Sequence, residues 1–478
     1  MAASTFSSSS RAHMVLFPFM SKGHTIPLLD LAQVLLHRNI TVTVFTTPAN
    51  RTFISDSLSP RGAKIPGSAI VVLPFPQNIE GVPAGVESTD KLPSISLFVP
   101  FVTATKLMQQ NFEKALETLP YVTAIISDGF LWWTQQSAAK FGIPRLVSYG
   151  TNNYSSAMYD AVLNNCLLSG PELNDEPFFV THFPWIKLTR NDFSEPFNSR
   201  EPLKGPYLDF VTEVSNATSK SYGIIVSNSF YELEALFVEY CNRREFVPKS
   251  WCIGPLCLAE LKKTKSPSCQ KPTWLQWLDR KLADGCAVLY VAFGTQAEIS
   301  LQQLQELAMG LEESNVNFLW VVRKNIGWEV LDDGFEERVK ERGLVVREWV
   351  DQRAILRHQS VQGFLSHCGW NSVSESICAK VPILAWPIMA EQHLNARMVV
   401  EEIKVGMRVQ TSNGSVRGFV KSEGLVEMVR ELMEGEMGKE ARKKVKEFGE
   451  AAKKAIEEGG SSWHSLNQLI DELQVLPK

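Results

Sequence analysis

VLFPFMSKGHTIPLLDLAQVLLHRNITVTVF, residues 15–45, decides the fold. Val15–Phe19 is apolar throughout, as a strand buried on both faces should be. Pro27–His37 has the spacing of an amphipathic helix, with a proline suited to its first position. Thr41–Phe45 is rich in β-branched residues and reads as a second strand. Strand, helix and strand within about thirty residues is one βαβ unit.

Working outward, the alternation continues. Further strand-like runs are Ile70–Leu73, Val122–Ser127, Arg145–Ser148 and Gly223–Asn228, with helical spacing such as Thr105–Leu119 between them. At residues 251–273 the pattern breaks into a polar, proline-containing linker with Lys262, Lys263, Lys265, Pro267 and Pro272. A second alternation follows: Ala287–Phe293, Leu301–Glu313, Phe318–Val322, Leu344–Val346, Gln362–Ser366, Ser374–Ala379, Ile383–Trp386 and a helical pattern over Glu391–Ile403. The charged run Gly438–Glu458 reads as a solvated helix, and Gly459–Gly460 turns the chain into a last helix near Leu466–Leu473. The fold class is therefore α/β, with two doubly wound parallel sheets in tandem. The expected divisions are 1–250, a linker 251–273, 274–458 and a terminal helix 459–478.

Composition narrows the function. The 478 residues are 44% hydrophobic and 21% charged, with 48 Lys and Arg against 52 Asp and Glu, a net charge of −4. No basic field is present to hold nucleic acid. No apolar run approaches the ~18 residues of a membrane span. The Ser-rich start, Met1 to Ser10, lacks the charged and apolar regions of a secretion signal and reads as a disordered tail. The eight cysteines are scattered without a CxxC pair, which suits a reducing compartment, so a cytoplasmic protein is expected.

In open α/β sheets, ligands sit beyond the carboxyl ends of the strands. The loop Met20–His24 follows the first strand, and Asp128 follows Val122–Ser127. A lone histidine is usually structural, but two strand-end loops can join an imidazole to a carboxylate, leaving the second ring nitrogen as a general base. An alternative for Asp128 is a helix N-cap ahead of Leu131–Lys140. A denser region runs from Trp349 through Gln352 and His358 to HCGWNS at 367–372, Glu375, Pro382, Trp386–Pro387 and Glu391–Gln392. Its centre is a strand, a glycine loop and a helix start, which is an anion site, and His367, Asn371 and Ser372 add donors. Ser372 and Glu375 also fit a capping box, and Trp349 and Trp386 also fit a core. In a third strand-to-helix loop, Gly294 permits close backbone approach and Thr295 is a phosphate donor.

The stretch from Trp349 to Gln392 resembles the signature box of plant family-1 UDP-dependent glycosyltransferases. The similarity extends to the His24 loop, Asp128, GIIVSNSFYELE at 223–234, WCIGPL at 251–256 and the end of the chain. It implies the GT-B fold, two facing Rossmann-like domains with the last helix returning to the amino-terminal one. It also implies that Trp349 stacks on uracil beside Val350 and Gln352, and that Glu375 accepts the ribose hydroxyls. His367, Asn371, Ser372 and Thr295 would hold the diphosphate, and Trp370, Glu391 and Gln392 would face the sugar. His24 would be the base and Asp128 its orienter. Glu391 stands where the box more often has Asp, and Lys380 where Gly is usual. Gln392 with Trp370 matches the glucose-using pattern.

The resulting expectation is an inverting UDP-glucose-dependent transferase that makes β-glucosides, O-linked or C-linked, of flavonoid-like phenols. The acceptor is expected against Phe19, Phe130, Trp132 and Tyr149. UDP-glucose is the co-substrate; no cofactor, metal or nucleic acid is expected, and a monomer is. The chain lacks Asp-x-Asp, the common metal-diphosphate motif. A dehydrogenase would need Gly-x-Gly-x-x-Gly after a strand, which is absent. A non-catalytic UDP-sugar binder, or the same chemistry with another UDP-sugar, are the alternatives.

Overall fold

The computed structural model describes residues 11–58, 65–201, 204–245, 247–259, 271–322 and 334–476. The Met1–Ser10 tail and residues 260–270 of the expected linker lie outside the described residues.

The amino-terminal half forms a seven-stranded sheet. Its strands are β1 (His13–Phe17), β2 (Thr41–Thr46), β3 (Ser68–Val72), β4 (Ala124–Asp128), β5 (Arg145–Ser148), β8 (Gly223–Val226) and β9 (Lys249–Cys252). A separate two-stranded hairpin, β6 (Phe178–Val180) and β7 (Phe183–Leu188), lies outside it. The order is β3-β2-β1-β4-β5-β8-β9, with every pairing parallel. The carboxyl-terminal half forms a six-stranded parallel sheet, β12-β11-β10-β13-β14-β15. These strands are β10 (Val288–Ala292), β11 (Asn317–Val321), β12 (Gly343–Val346), β13 (Val361–Ser366), β14 (Ile383–Ala385) and β15 (Gly406–Arg408). All five residues of β1 and of β10 are buried, which is why each run carries no polar alternation.

Strand order reverses between β1 and β4 in the first sheet and between β10 and β13 in the second. Phe17 pairs with Ser127, and Ala292 with Ser366, so the loops leaving each pair emerge side by side. Such switch points are where doubly wound sheets open a crevice.

Two boundaries differ from the sequence reading. The first helix is Lys22–His37, not Pro27–His37, so His24 stands in its first turn rather than in a loop. Proline suits a helix start, but here it lies inside the helix. The carbonyl its missing N–H would have bonded, Gly23 O, instead accepts Asn371 Nδ2 at 2.6 Å. The linker also begins late: Trp251 and Cys252 belong to β9, where Trp251 pairs with Ile225. The four-residue strand next to Gly254–Pro255 looks like a break because turn residues bound it so closely.

The halves share one core. Tyr154, Met158, Val162 and Phe237 of the first pack in one apolar cluster with Trp370, Ile377, Leu394 and Val445 of the second. The last helix, Ser461–Val475, crosses back. Its Leu466, Leu469 and Leu473 join Leu28, Leu31 and Leu35 of the first domain, and Asn467 accepts Arg38 Nη1 at 2.7 Å. Among the described residues no helix is long and apolar enough to cross a membrane.

Candidate active site

His24 and Asp128 meet. His24 Nδ1 donates to Asp128 Oδ2 at 2.7 Å, and Asp128 Oδ1 accepts the Phe130 N–H at 2.9 Å. Asp128 does not cap the next helix, which begins at Thr134 and has no side-chain cap. Its second oxygen instead fixes the turn that carries Phe130. The buried Arg145 guanidinium holds the same turn through the Asp128 carbonyl, at 3.2 Å. Burial opposes a charged His24 ring, but the Asp128 charge and hydrogen bond overcome it, with Glu391 adding, so His24 titrates above the ordinary imidazole range. Its other nitrogen, Nε2, borders Gly150, where a Cβ would come within 3.8 Å.

Aromatic rings surround the imidazole. Ring centroids lie 5.7 Å apart for Phe19 and His24 and 5.0 Å apart for Phe130 and His24. Phe98 and Phe210 extend this wall, each packed on Phe130 at 5.4 and 5.7 Å. The sequence did not single them out, because they come from helices far away in the chain. Trp132 lies behind, edge-on to Phe210 at 5.6 Å. Tyr149 packs on Gly129, where any Cβ would strike its ring, and bonds Thr218 through its hydroxyl.

On the facing domain, Trp349 is 68% exposed, so it is a surface platform rather than core. Trp386 does pack as core, edge-on to Phe293. Val350 is buried. Glu375 makes no capping box, since the helix Trp370–Ala379 opens at Gly369 without a side-chain cap. Its Oε2 accepts Gln352 Nε2 at 2.8 Å and its Oε1 accepts Arg353 Nε at 2.9 Å. Gln352 also reaches Ser372 Oγ at 3.0 Å. A carboxylate has about four acceptor positions, so two remain for hydroxyl donors. His367 sits between two glycines. A Cβ on either Gly294 or Gly369 would come within 2.6 Å of its Nε2, and Gly294 has φ +72°. Thr295 is exposed on the turn after β10.

Three side chains expected at the ligand are otherwise engaged. The Trp370 side chain is 2% exposed, and its indole N–H bonds the Asn228 carbonyl at 3.0 Å, at the seam between domains. Asn371 spends Nδ2 on Gly23 O, and its Oδ1 accepts Asn228 Nδ2 at 2.7 Å. Its second Nδ2 hydrogen and its backbone N–H, at the helix start, are left for an anion. Gln392 turns Oε1 onto the Ile388 and Met389 amides, both at 3.0 Å, so a sugar would meet Nε2. Glu391 is half-buried, and burial pushes its carboxyl up while His24 opposes that. Among the described residues no cluster of His, Cys, Asp and Glu could hold a metal.

Residues 273–447 match the family model described as UDP-glucoronosyl and UDP-glucosyl transferase. UDP-glycosyltransferase 90A1 of Arabidopsis thaliana is 56% identical over 475 residues, covering 98% of this chain and 97% of that protein. The chain belongs to this family of UDP-dependent glycosyltransferases. The transferase is also 37% identical to the scopoletin glucosyltransferase of Nicotiana tabacum, over 96% of this chain and 98% of that one. In structure it matches Glycyrrhiza uralensis UGT73P12, complexed with glycyrrhetinic acid 3-O-monoglucuronide. The TM-score is 0.85 at 31% identity, covering 97% and 96% of the two chains. The fold is thus GT-B, and the chain is an enzyme of this family.

Proposed function

We propose that this UDP-glycosyltransferase transfers glucose from UDP-glucose to the hydroxyl of a planar phenolic acceptor, with inversion, and that His24 is its general base. The observation that carries this reading is the 2.7 Å His24–Asp128 pair set within a wall of phenylalanines. With Asp128 on Nδ1, the neutral ring has its lone pair on Nε2. That nitrogen takes the acceptor's O–H proton as the oxygen attacks C1. The bond from C1 to the diphosphate breaks on the opposite face, and UDP leaves with the electron pair. The start of the 370–379 helix and His367 stabilise the growing negative charge. One displacement converts the α-linked donor into a β-glucoside. Trp349 supplies a face for uracil and Glu375 the ribose acceptors. Gln392 Nε2 and Glu391 are the sugar's partners. The rings of Phe19, Phe98, Phe130 and Phe210 suit an apolar, flat acceptor.

Incubation with UDP-glucose and a panel of phenols, followed by mass spectrometry and NMR, tests the reading. The expected product gains one hexose in β linkage, and chelator leaves the rate unchanged. An α linkage, loss of activity with chelator, or UDP binding with no transfer to any phenol would each reject the corresponding part.

A further inference from the structure

The helix that carries His24 is gripped by the other domain at three points. Gln296, in the loop after β10, donates to Ser21 Oγ at 3.3 Å and to Thr89. Asn371 reaches Gly23 O. Arg353 makes the third grip: Nη1 and Nη2 donate to Asp30 Oδ1 and Oδ2 at 3.0 and 2.6 Å. The same guanidinium donates from Nε to Glu375 Oε1 at 2.9 Å. Arg353, Asp30 and Glu375 side chains are only 13%, 12% and 9% exposed.

One rigid plane thus joins two carboxylates on two domains. Asp30 lies on the His24 helix and Glu375 in the nucleotide pocket. A buried ion bridge is a poor source of net stability, because desolvation cancels much of its attraction. It does fix geometry, and a guanidinium does so better than an ammonium because its donors form a fixed fork. Gln352, bonded to the other oxygen of Glu375, leaves that carboxylate little freedom to turn unless Arg353 moves too.

We propose that Arg353 is a positioning residue that couples occupancy of the nucleotide pocket at Glu375 to the seating of His24, through Asp30. The proposal rests on reading Glu375 as the ribose acceptor. A nucleotide that settles the Glu375 carboxylate settles the guanidinium, and with it the 22–37 helix. Departure of UDP loosens the same chain.

The test uses the full chain and its Asp30→Asn, Arg353→Gln, Arg353→Lys and double Asp30→Asn/Arg353→Gln variants. UDP affinity is read by calorimetry, and phenol turnover with UDP-glucose by kinetics. Hydrogen exchange over residues 22–37 is read with and without UDP. In the unaltered protein UDP should slow exchange in this helix. Asp30→Asn, nearly isosteric, should lose that protection while UDP affinity stays within about threefold, because Asp30 meets Glu375 through Arg353 rather than directly. Its kcat should fall about tenfold or more, the scale expected when a reacting group is slightly misplaced. Arg353→Lys should fail to restore the protection, and the double variant should be no worse than Arg353→Gln. Unchanged UDP-dependent protection in Asp30→Asn overturns the proposal. So does an even loss of UDP affinity and turnover, which marks a merely structural role, and so do additive effects in the double variant. If the unaltered protein binds UDP but glucosylates no phenol, the functional reading falls, and the exchange measurement still decides the coupling. If it binds no UDP, both fall.

Discussion

At the residue scale, the proposed base is an imidazole held by a carboxylate. The base must be neutral to accept a proton, and Asp128 holds His24 above the ordinary range. The acidic limb of a kcat/KM against pH profile should therefore lie above that of a free histidine. Asp128→Asn should move the limb to lower pH and also cut kcat, because the ring loses its orienting partner. A limb that stays in place would show that Asp128 does not set the titration. A second buried acid, Glu234, acts on stability. Its oxygens accept the Tyr154 N–H at 2.7 Å and the Ser229 hydroxyl, and burial pushes it from 4.5 to about 7. Between these values the folded chain holds a proton that the unfolded chain has released, so stability falls as pH rises from about 4.5 to 7. Glu234→Gln should flatten urea-melt stability across this window; an unchanged slope would assign it to other groups. The meeting of His24 with Asp128 was legible because both lie toward the carboxyl ends of neighbouring apolar strands. Asp30, Gln296 and Arg353 were not, since a contact between domains leaves no periodicity in the chain. The Asn228 and Gly23 partners of Trp370 and Asn371 were hidden for the same reason: they lie on the facing domain.

At the scale of elements, the strands were readable because continuous apolar runs serve sheets covered on both faces. The edges were less so. β15 has three residues, and the β6–β7 hairpin carries exposed Phe179 and Trp185, so neither announces itself by pattern. Lys380 explains one departure from the family's box. It sits at the end of the 370–379 helix with φ +63°, the left-handed conformation that glycine adopts freely. Its ammonium bonds Glu450 at 2.5 Å, and Gly449 leaves room for its stem. An L-residue there costs about 1–2 kcal/mol, and glycine returns part of that gain as unfolded-state entropy. Lys380→Gly should raise stability by roughly 0.5–1 kcal/mol in a denaturant melt. A decrease would mean that the exposed Glu450 pair outweighs the strain.

At the scale of the molecule, two switch points face each other and the apolar core runs through both halves. The terminal helix adds a second tie, from the end of the chain to the first sheet. Heating should therefore give one cooperative transition by both calorimetry and circular dichroism. Two resolved transitions would show that the shared cluster of Tyr154, Met158, Trp370 and Ile377 contributes little.

Pro27 has a consequence that reaches beyond its own helix. A ring nitrogen without hydrogen leaves one carbonyl of the first turn unclaimed, and the opposite lobe has taken it. Pro27→Ala would hand that acceptor a local suitor. The helix would mend itself, the amino-terminal lobe would stiffen, and Asn371 would lose its latch. A larger radius of gyration by small-angle scattering than that of the unaltered protein would show an imperfection in one helix serving as the clasp of two.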